Sequence, residues 1–452
     1  MSRALRLPRL RLPWRRADAD PAAGVPLGVG TAQPTARGTF RALRHRNYRL
    51  FFIGQSISLS GTWMQTVAQA WLVLELTDSK EALGTVVMLQ FLPITLLVLL
   101  GGVIADRVPK RDFIVLTQSL AMLQSAALAL LVWTGYVELW HVYILAVVLG
   151  LANAFDQPTR QAFIVEMVGK DDLINAVALN SGLFNAARLI GPAVGGVVIS
   201  AFGVKVAFLI NAVSFIPVIS GLFLMDASRL YSAGDRGDAP LDALSELREG
   251  LAYAFRAPAV LLIVIIGFFI GMFGFNFIVV LPLVTRYILD RGSTELGFLN
   301  AALGLGALVS ALLLAGRRTA RRSTMFLGGA LFALLLAAVG LSRWFPVTLL
   351  TLLFLGLVNT AFSATANTSL QLSTPDHLRG RVMGIWMLLF AGSTPIGGYL
   401  TGFIGQRLGV ATAVEFNAVM CGLGVTLAFL YYISRRQAIE ARGTQGARSP
   451  AV

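Results

Sequence analysis

A few ionisable side chains interrupt the apolar runs of this chain, and their types limit its chemistry. The stretch "NAFDQPTRQAF" (153–163) places Asp156, Pro158 and Arg160 at the end of an apolar run that begins near Tyr143. Arg188 stands alone inside the next run, while Glu75 and Glu415 lie near the ends of two others. Charge in an apolar environment is costly, and a membrane helix that tolerates it usually uses it. A carboxyl group so placed can take up and release a proton. A guanidinium so placed can hold an anion or pair with an acid. Nothing points to catalysis. His45, His141 and His377 are scattered, with no metal-ligand spacing. No G-x-x-x-x-G-K-[ST] loop is present, so ATP is not the driver, and "GLG" at 304–306 lies inside an apolar run. The single Cys421, also inside such a run, allows neither an intrachain disulfide nor a Cys-based metal site.

The elements that carry these residues are membrane helices. Of 452 residues, 56% are hydrophobic and only 13% charged, against about 25% charged in soluble proteins. Mean hydropathy is +0.73. Apolar runs long enough to cross a hydrocarbon core recur along the chain, without the period-two alternation of barrel strands. Twelve spans are expected, at roughly 50–74, 82–105, 113–133, 141–163, 174–200, 205–225, 259–284, 295–316, 323–342, 346–368, 380–404 and 410–433. The net charge of +14 raises a nucleic-acid reading, but its distribution excludes it. With loops assigned alternately, 30 of the 37 Lys and Arg fall on the side of the N terminus, 6 on the other, and Arg188 alone lies mid-span. That asymmetry puts both termini in the cytoplasm. Residues 1–39 are rich in Arg, Pro, Gly and Ala with no apolar stretch, which reads as a disordered basic cytoplasmic arm, not a cleaved signal peptide.

The expected organisation is the arm, a six-helix half (40–225), a linker (226–258), a second half (259–433) and a cytoplasmic tail (434–452). Within the linker, "LDALSELREGLAYAF" (241–255) spaces Leu241, Leu244, Leu247 and Leu251 for an amphipathic surface helix. The halves echo each other. "GLANAF" (150–155) recurs as "GLVNTAF" (356–362), and "GGVVISAFG" (195–203) as "GGYLTGFIG" (397–405). Two echoes at nearly one offset indicate a duplicated six-span unit, as in secondary transporters with a site between the repeats.

The loop after span 2 reads "GGVIADRVPKRDF" (101–113), in which Gly102, Ala105, Asp106, Arg107, Lys110 and Arg111 fit the major facilitator signature G-x-L-A-D-R-x-G-R-R/K. Pro109 replaces the usual second glycine. Span 5 holds "NAARLIGPAVGGVVIS" (185–200), where Gly191, Pro192, Gly195 and Gly196 resemble the G-P-x-x-G-G element of the antiporter branch. Together with "FDQPTRQAF" and "GRVMG" (380–384), the chain over about residues 40–435 resembles the enterobactin-exporter and macrolide-efflux group of that superfamily. The resemblance implies an all-α fold of twelve transmembrane helices in two pseudo-symmetric halves, in a bacterial inner membrane. It implies proton-driven export of an amphipathic small molecule (a drug, macrolide or siderophore) by a monomer without cofactor or nucleic-acid partner. Lysophospholipid translocation by the same fold is the alternative, and a membrane-embedded enzyme or receptor a remoter one.

Several site expectations follow. In the resembled family the first arginine of the loop motif pairs with an acid at the end of span 4. Carried over, Arg107 and Asp156 would latch the cytoplasmic side shut, with Arg111 and Arg160 nearby. Asp156 lies about 24 Å below Trp140 at about 1.5 Å per residue, near that end of its span. For Arg107, Lys110 and Arg111 a pure topology role stays open, and Arg160 can equally reach the interface. Arg188 is expected to serve an anionic substrate or a salt bridge. Asp156 and Glu415 are the proton-coupling candidates, with Glu75 behind them. Gln55, Ser58, Thr62, Gln65 and Gln69 share one face of span 1 and are expected to line a cavity or a helix contact. Trp63 and Trp71 lie nearby. Asn276, among Phe269, Phe273 and Phe277, is the expected facing wall.

Overall fold

A computed structural model describes residues 40–231, 243–314, 322–390 and 392–446. The expected basic arm and the last residues of the tail lie outside these. The described chain is helical throughout its elements, as a lipid environment demands, because only a helix satisfies its backbone hydrogen bonds within one segment. Eleven spans are long and apolar enough to cross a membrane, from Lys80–Leu97 through Val410–Arg435. A twelfth, Arg46–Thr77, precedes them. It is ample in length but diluted by Gln55, Ser58, Gln65 and Gln69, all of which are buried. Its polar side chains point into protein, so the span is sound although its average hydropathy is low.

The remaining spans of the first half are Lys80–Arg107, Lys110–Thr134, Leu139–Val168, Leu173–Phe202 and Val204–Phe223. Span 4 runs on past "NAFDQPTRQAF", so Pro158 sits inside the helix and Asp156 three turns before its end. The face at which span 1 begins is called the near face below, and the opposite one the far face. At the near face, Asp172 ahead of span 5 binds Arg41 at 2.6 Å and His45 at 2.8 Å. Asn47 exchanges two hydrogen bonds with the backbone of Asp226 after span 6. These contacts tie the near-face ends of spans 1, 5 and 6 together.

In the second half, spans 8, 9, 10 and 12 are Ser293–Leu314, Arg322–Leu341, Phe345–Leu372 and Val410–Gly446, the last kinked at Arg435. Spans 7 and 11 are interrupted. Span 7 is Pro258–Phe269, a π turn over Ile270–Gly274, then Phe277–Tyr287. Span 11 is Asp376–Phe390 and Thr394–Leu408, broken around Gly392 and Ser393. A Cβ at Gly271 would strike the Phe390 backbone, so the two breaks abut. Discontinuous spans of this kind occur where the freed backbone faces protein or a cavity. The linker helix runs over Ala243–Arg256. Its Gly250 lies against Arg381 and Ile385 of span 11, and Glu249 pairs with Arg381 at 2.7 Å. Leu241 lies outside the described residues.

Candidate functional site: a central cavity and the contacts that close it

A cavity of about 630 Å³ lies between the halves. The first half contributes Trp63 and Thr66 from span 1, Phe91 and Thr95 from span 2, Gln157 from span 4, and Phe184 and Arg188 from span 5. The second half contributes Phe275, Phe277, Asn300 and Phe390, with Arg381 and Gly384 toward the near face. Trp63 and Phe184 meet edge to face at 5.6 Å, and Phe275 and Phe390 at 4.6 Å. Both walls are therefore aromatic, with a few neutral polar groups and the two arginines, a composition that suits an amphipathic ligand. The cavity ends among buried Val67, Ala70 and Pro282, whereas Gly380, Gly384 and Met387 on its near-face wall are exposed. It opens to the near face and is blind at the far face.

Most of the expected cavity wall lies elsewhere. Gln55, Ser58 and Gln65 are buried within the first half. The Gln65 amide donates to Gln124 of span 3 at 2.8 Å and accepts from Asn211 of span 6. The Gln69 amide donates to Gln90 of span 2 at 2.9 Å. Thr62, Gln65 and Gln69 border only a side pocket of about 40 Å³ that they share with Gln90 and Asn153. The stripe is thus the polar cement of the first half, worth more in apolar surroundings than in water. The neighbouring face of span 1, with Trp63 and Thr66, looks into the cavity. Asn276 is also displaced from its expected role. It is buried at the break of span 7, where its amide donates to the Met272 carbonyl at 2.6 Å. Phe273 turns to Phe416 of span 12, leaving Phe277 on the cavity.

Asp156 is almost fully buried. One carboxylate oxygen accepts from Thr117 at 2.7 Å and from Gln118 at 2.9 Å, both on span 3. The other pairs with Arg160, one turn along its own helix. The expected Arg107–Asp156 pair is not formed. Arg107 ends span 2 with an exposed side chain, and the Asp156 carboxylate is already occupied. Gly102 and Asp106 fall on the helix of span 2, and the Asp106 side chain lies outside what is described. Of the motif's other bases, Lys110 reaches Glu166 at the end of span 4 (2.7 Å), and Arg111 pairs with its neighbour Asp112 at 2.9 Å. The partner Glu166 was not singled out in the sequence, although it lies ten residues beyond Asp156 on the same span.

The G-P-x-x-G-G residues form a packing seam. Gly191 and Gly195 are buried against Ser60, Trp63 and Met64 of span 1, and Pro192 reaches the cavity wall. Gly196 faces span 8 of the other half, where a Cβ would lie 2.9 Å from the Gly297 Cα and would overlap the Ser293 carbonyl. Gly402 of span 11 makes the equivalent approach to Gly84 of span 2. Small residues let helices from different halves meet backbone to backbone, and these two crossings seal the far face. A polar cluster that sequence reasoning missed sits just outside them. The Tyr287 hydroxyl donates to the Asp78 carboxylate at 2.6 Å, Arg286 approaches the same oxygen at 3.2 Å, and Lys80 lies 4.0 Å over the Tyr287 ring. The Tyr287 hydrogen bond, with Arg286 and Lys80 beside it, holds the Asp78 carboxyl below its ordinary range. Its one sequence signal is a lone acid in a short interspan loop. Glu75 accepts from the Trp71 indole at 2.7 Å. Glu415 is half-buried one turn into span 12, off the cavity wall.

Comparison with known proteins agrees with this architecture. A family model described as transmembrane secretion effector, within the major facilitator group, matches residues 37–451. The multidrug efflux pump Tap of Mycolicibacterium fortuitum is 28% identical, over 82% of this chain and 92% of its own. The enterobactin exporter EntS of Shigella boydii is 26% identical, over 87% and 93%. The staphyloferrin A transporter of Staphylococcus aureus is 24% identical, over 86% and 96%. Among solved structures, a bacterial homologue of the human lysosomal transporter Spinster superposes with a TM-score of 0.70 at 13% identity, over 90% of this chain and 99% of that one. Twelve spans in two halves, the loop motif after span 2 and a match over nearly the whole chain lead to one statement: the protein belongs to the transmembrane secretion effector family of major facilitator transporters.

Proposed function

We propose that the protein exports an amphipathic small molecule from the cytoplasm by alternating access, driven by proton entry. The observation that carries this is the aromatic cavity shared by both halves, open at the near face and blind at the far face. The concentration of Lys and Arg in near-face loops supports a cytoplasmic near face, from which the cavity would load. The relatives named as a multidrug efflux pump and an enterobactin exporter support the outward direction.

In the transport cycle the two halves rock about the cavity. Parting the Gly196–Gly297 and Gly84–Gly402 crossings and the Asp78 cluster opens the far face. As the near face closes, the end of span 2 also shifts toward span 4 within the first half. Asp156 then exchanges Arg160 for Arg107 as its partner, and a proton that neutralises the carboxylate releases either one. A two-state element biased by one charge is the form such coupling must take. Expression in an efflux-deficient bacterium should lower retention of amphipathic compounds, a macrolide and a siderophore among those tested. A protonophore should abolish the difference. Retention that expression leaves unchanged, or a difference that survives collapse of the proton gradient, refutes the proposal.

A further inference from the structure

Among the described residues, Arg188 is the one charge on the cavity wall that neither the packing nor the near-face ion pairs account for. Its guanidinium lies 5.7 Å over the Trp63 ring. No carboxylate pairs with it among the described residues. The described lining holds two cations, Arg188 and Arg381, and neither Asp nor Glu. Arg381 already has Glu249 at 2.7 Å. Arg188 is left half-buried on an aromatic wall without a counter-charge.

We infer that the cavity takes an amphiphile with an anionic head, its carboxylate or phosphate held by Arg188 and its apolar body laid against Trp63, Phe184, Phe275 and Phe390. This deepens the transporter reading above and rests on it. A charge withdrawn from water is tolerated when it is paired, and here the ligand supplies the partner. The guanidinium fork matches two oxygens of a carboxylate or phosphate, and Trp63 beneath it restricts the plane in which it presents them. A cationic ligand of the same shape meets like charge and finds no acid on the described wall, so the site also selects by repulsion. Asn300, Thr66 and Thr95 are neutral and suit the polar remainder of the ligand.

The test is equilibrium dialysis on the full chain in phosphatidylcholine nanodiscs, against protein-free nanodiscs. The probes are three compounds of one shape: 1-naphthaleneacetate, its neutral amide, and 2-(1-naphthyl)ethylammonium. The anion should bind most tightly. Arg188→Gln should weaken it about 10- to 100-fold, the range for losing a hydrogen bond to a charged group. Arg188→Lys should retain the order anion over cation, and the neutral amide should bind all three proteins alike, which shows that the variants fold. Nanodiscs containing phosphatidylglycerol separate the two sources of the anion. Competition that disappears in Arg188→Gln assigns a lipid headgroup, and no competition assigns a free amphiphile; both uphold the site. Equal binding of anion and cation, absence of saturable anion binding, or an anion preference that survives Arg188→Gln overturns it. No gradient or transport is involved, so failure here is distinct from failure of proton-coupled export.

Discussion

Enlarging Gly196 should turn the cavity toward the opposite face. A Cβ there would lie 2.9 Å from the Gly297 Cα and 3.1 Å from its amide nitrogen, with the Ser293 carbonyl closer still. These are backbone atoms of another span and cannot swing aside as a side-chain tip can. Overpacking of this kind costs about 1–3 kcal/mol, and it falls only on the conformation in which spans 5 and 8 touch. Gly196→Ala should therefore raise the population open at the far face about 5- to 150-fold relative to the one described here. Thr66→Cys provides the reporter, since Thr66 lines the cavity and the sole native thiol, Cys421, is fully buried. A membrane-impermeant maleimide should label Thr66→Cys from the near face alone, and from the far face as well once Gly196→Ala is added. Gly182→Ala on the same span is the control, because a Cβ there meets nothing within 4 Å. Labelling that stays one-sided in Gly196→Ala, with the protein folded and transporting normally, would refute the claim that this crossing holds the far face shut.

Three further outcomes are expected. Asp156→Asn should abolish or greatly slow export while thermal unfolding moves little, because an amide keeps the Thr117 contact but not the charge that holds Arg160; normal export by this variant removes Asp156 from the coupling scheme. Gln65→Leu should instead lower stability by about 1–3 kcal/mol through the orphaned amides of Gln124 and Asn211, read as a lower unfolding midpoint with ligand affinity unchanged. The Asp78 cluster should be indifferent to pH between about 7 and 5: a carboxyl whose folded pKa is depressed keeps its contribution above its unfolded pKa, about 3.9, and loses it as pH falls through the lower folded value. Far-face labelling of Thr66→Cys that rises between pH 7 and 5 and persists after Asp156→Asn would make Asp78 a proton sensor against this expectation.

Hydropathy makes eleven spans plain and nearly hides the first, which emerges from the 3–4 spacing of its polar residues. That spacing gives the shared face but not what covers it. Gln65 meets Gln124 and Asn211, partners 59 and 146 residues away along the chain, and no local pattern announces them. Span 11, expected as one run over 380–404, breaks around Gly392, Ser393 and Pro395, residues that interrupt a helix by known means. Span 7 breaks without a proline at the turn itself. Its Gly271 and Gly274 admit the Phe390 backbone and the Phe332 ring, so the π turn follows from tertiary packing. The Asp78–Tyr287 contact, 209 residues apart, is unreadable for the same reason. Arg188 was legible because a charge in mid-span is conspicuous against its own neighbours.

The far face is closed by one kind of contact, and the groups available to close the near face are of another. At the far face the seal is made of backbone contacts between glycines, Gly196 on Gly297 and Gly402 on Gly84, with charged and aromatic groups only at the rim. Such a seal is short-ranged, since a gap of 1 Å already forfeits much of the dispersion energy. It therefore gives way over a short displacement, together with the buried hydrogen bond from the Ser293 hydroxyl to the Gly196 carbonyl at 3.2 Å. At the near face the groups available for closure are ionic: Arg107, the Asp156–Arg160 pair and the Lys110–Glu166 bridge. Contacts of that kind act over several ångströms and respond to one proton. On the coupling proposed above, a proton arriving near Asp156 acts on the ionic side, and the steric seal follows because Gly84 and Gly196 lie on spans of the same half. On this division, mutations at the glycine crossings should shift the resting conformation without changing its pH dependence, and those around Asp156 should do the reverse.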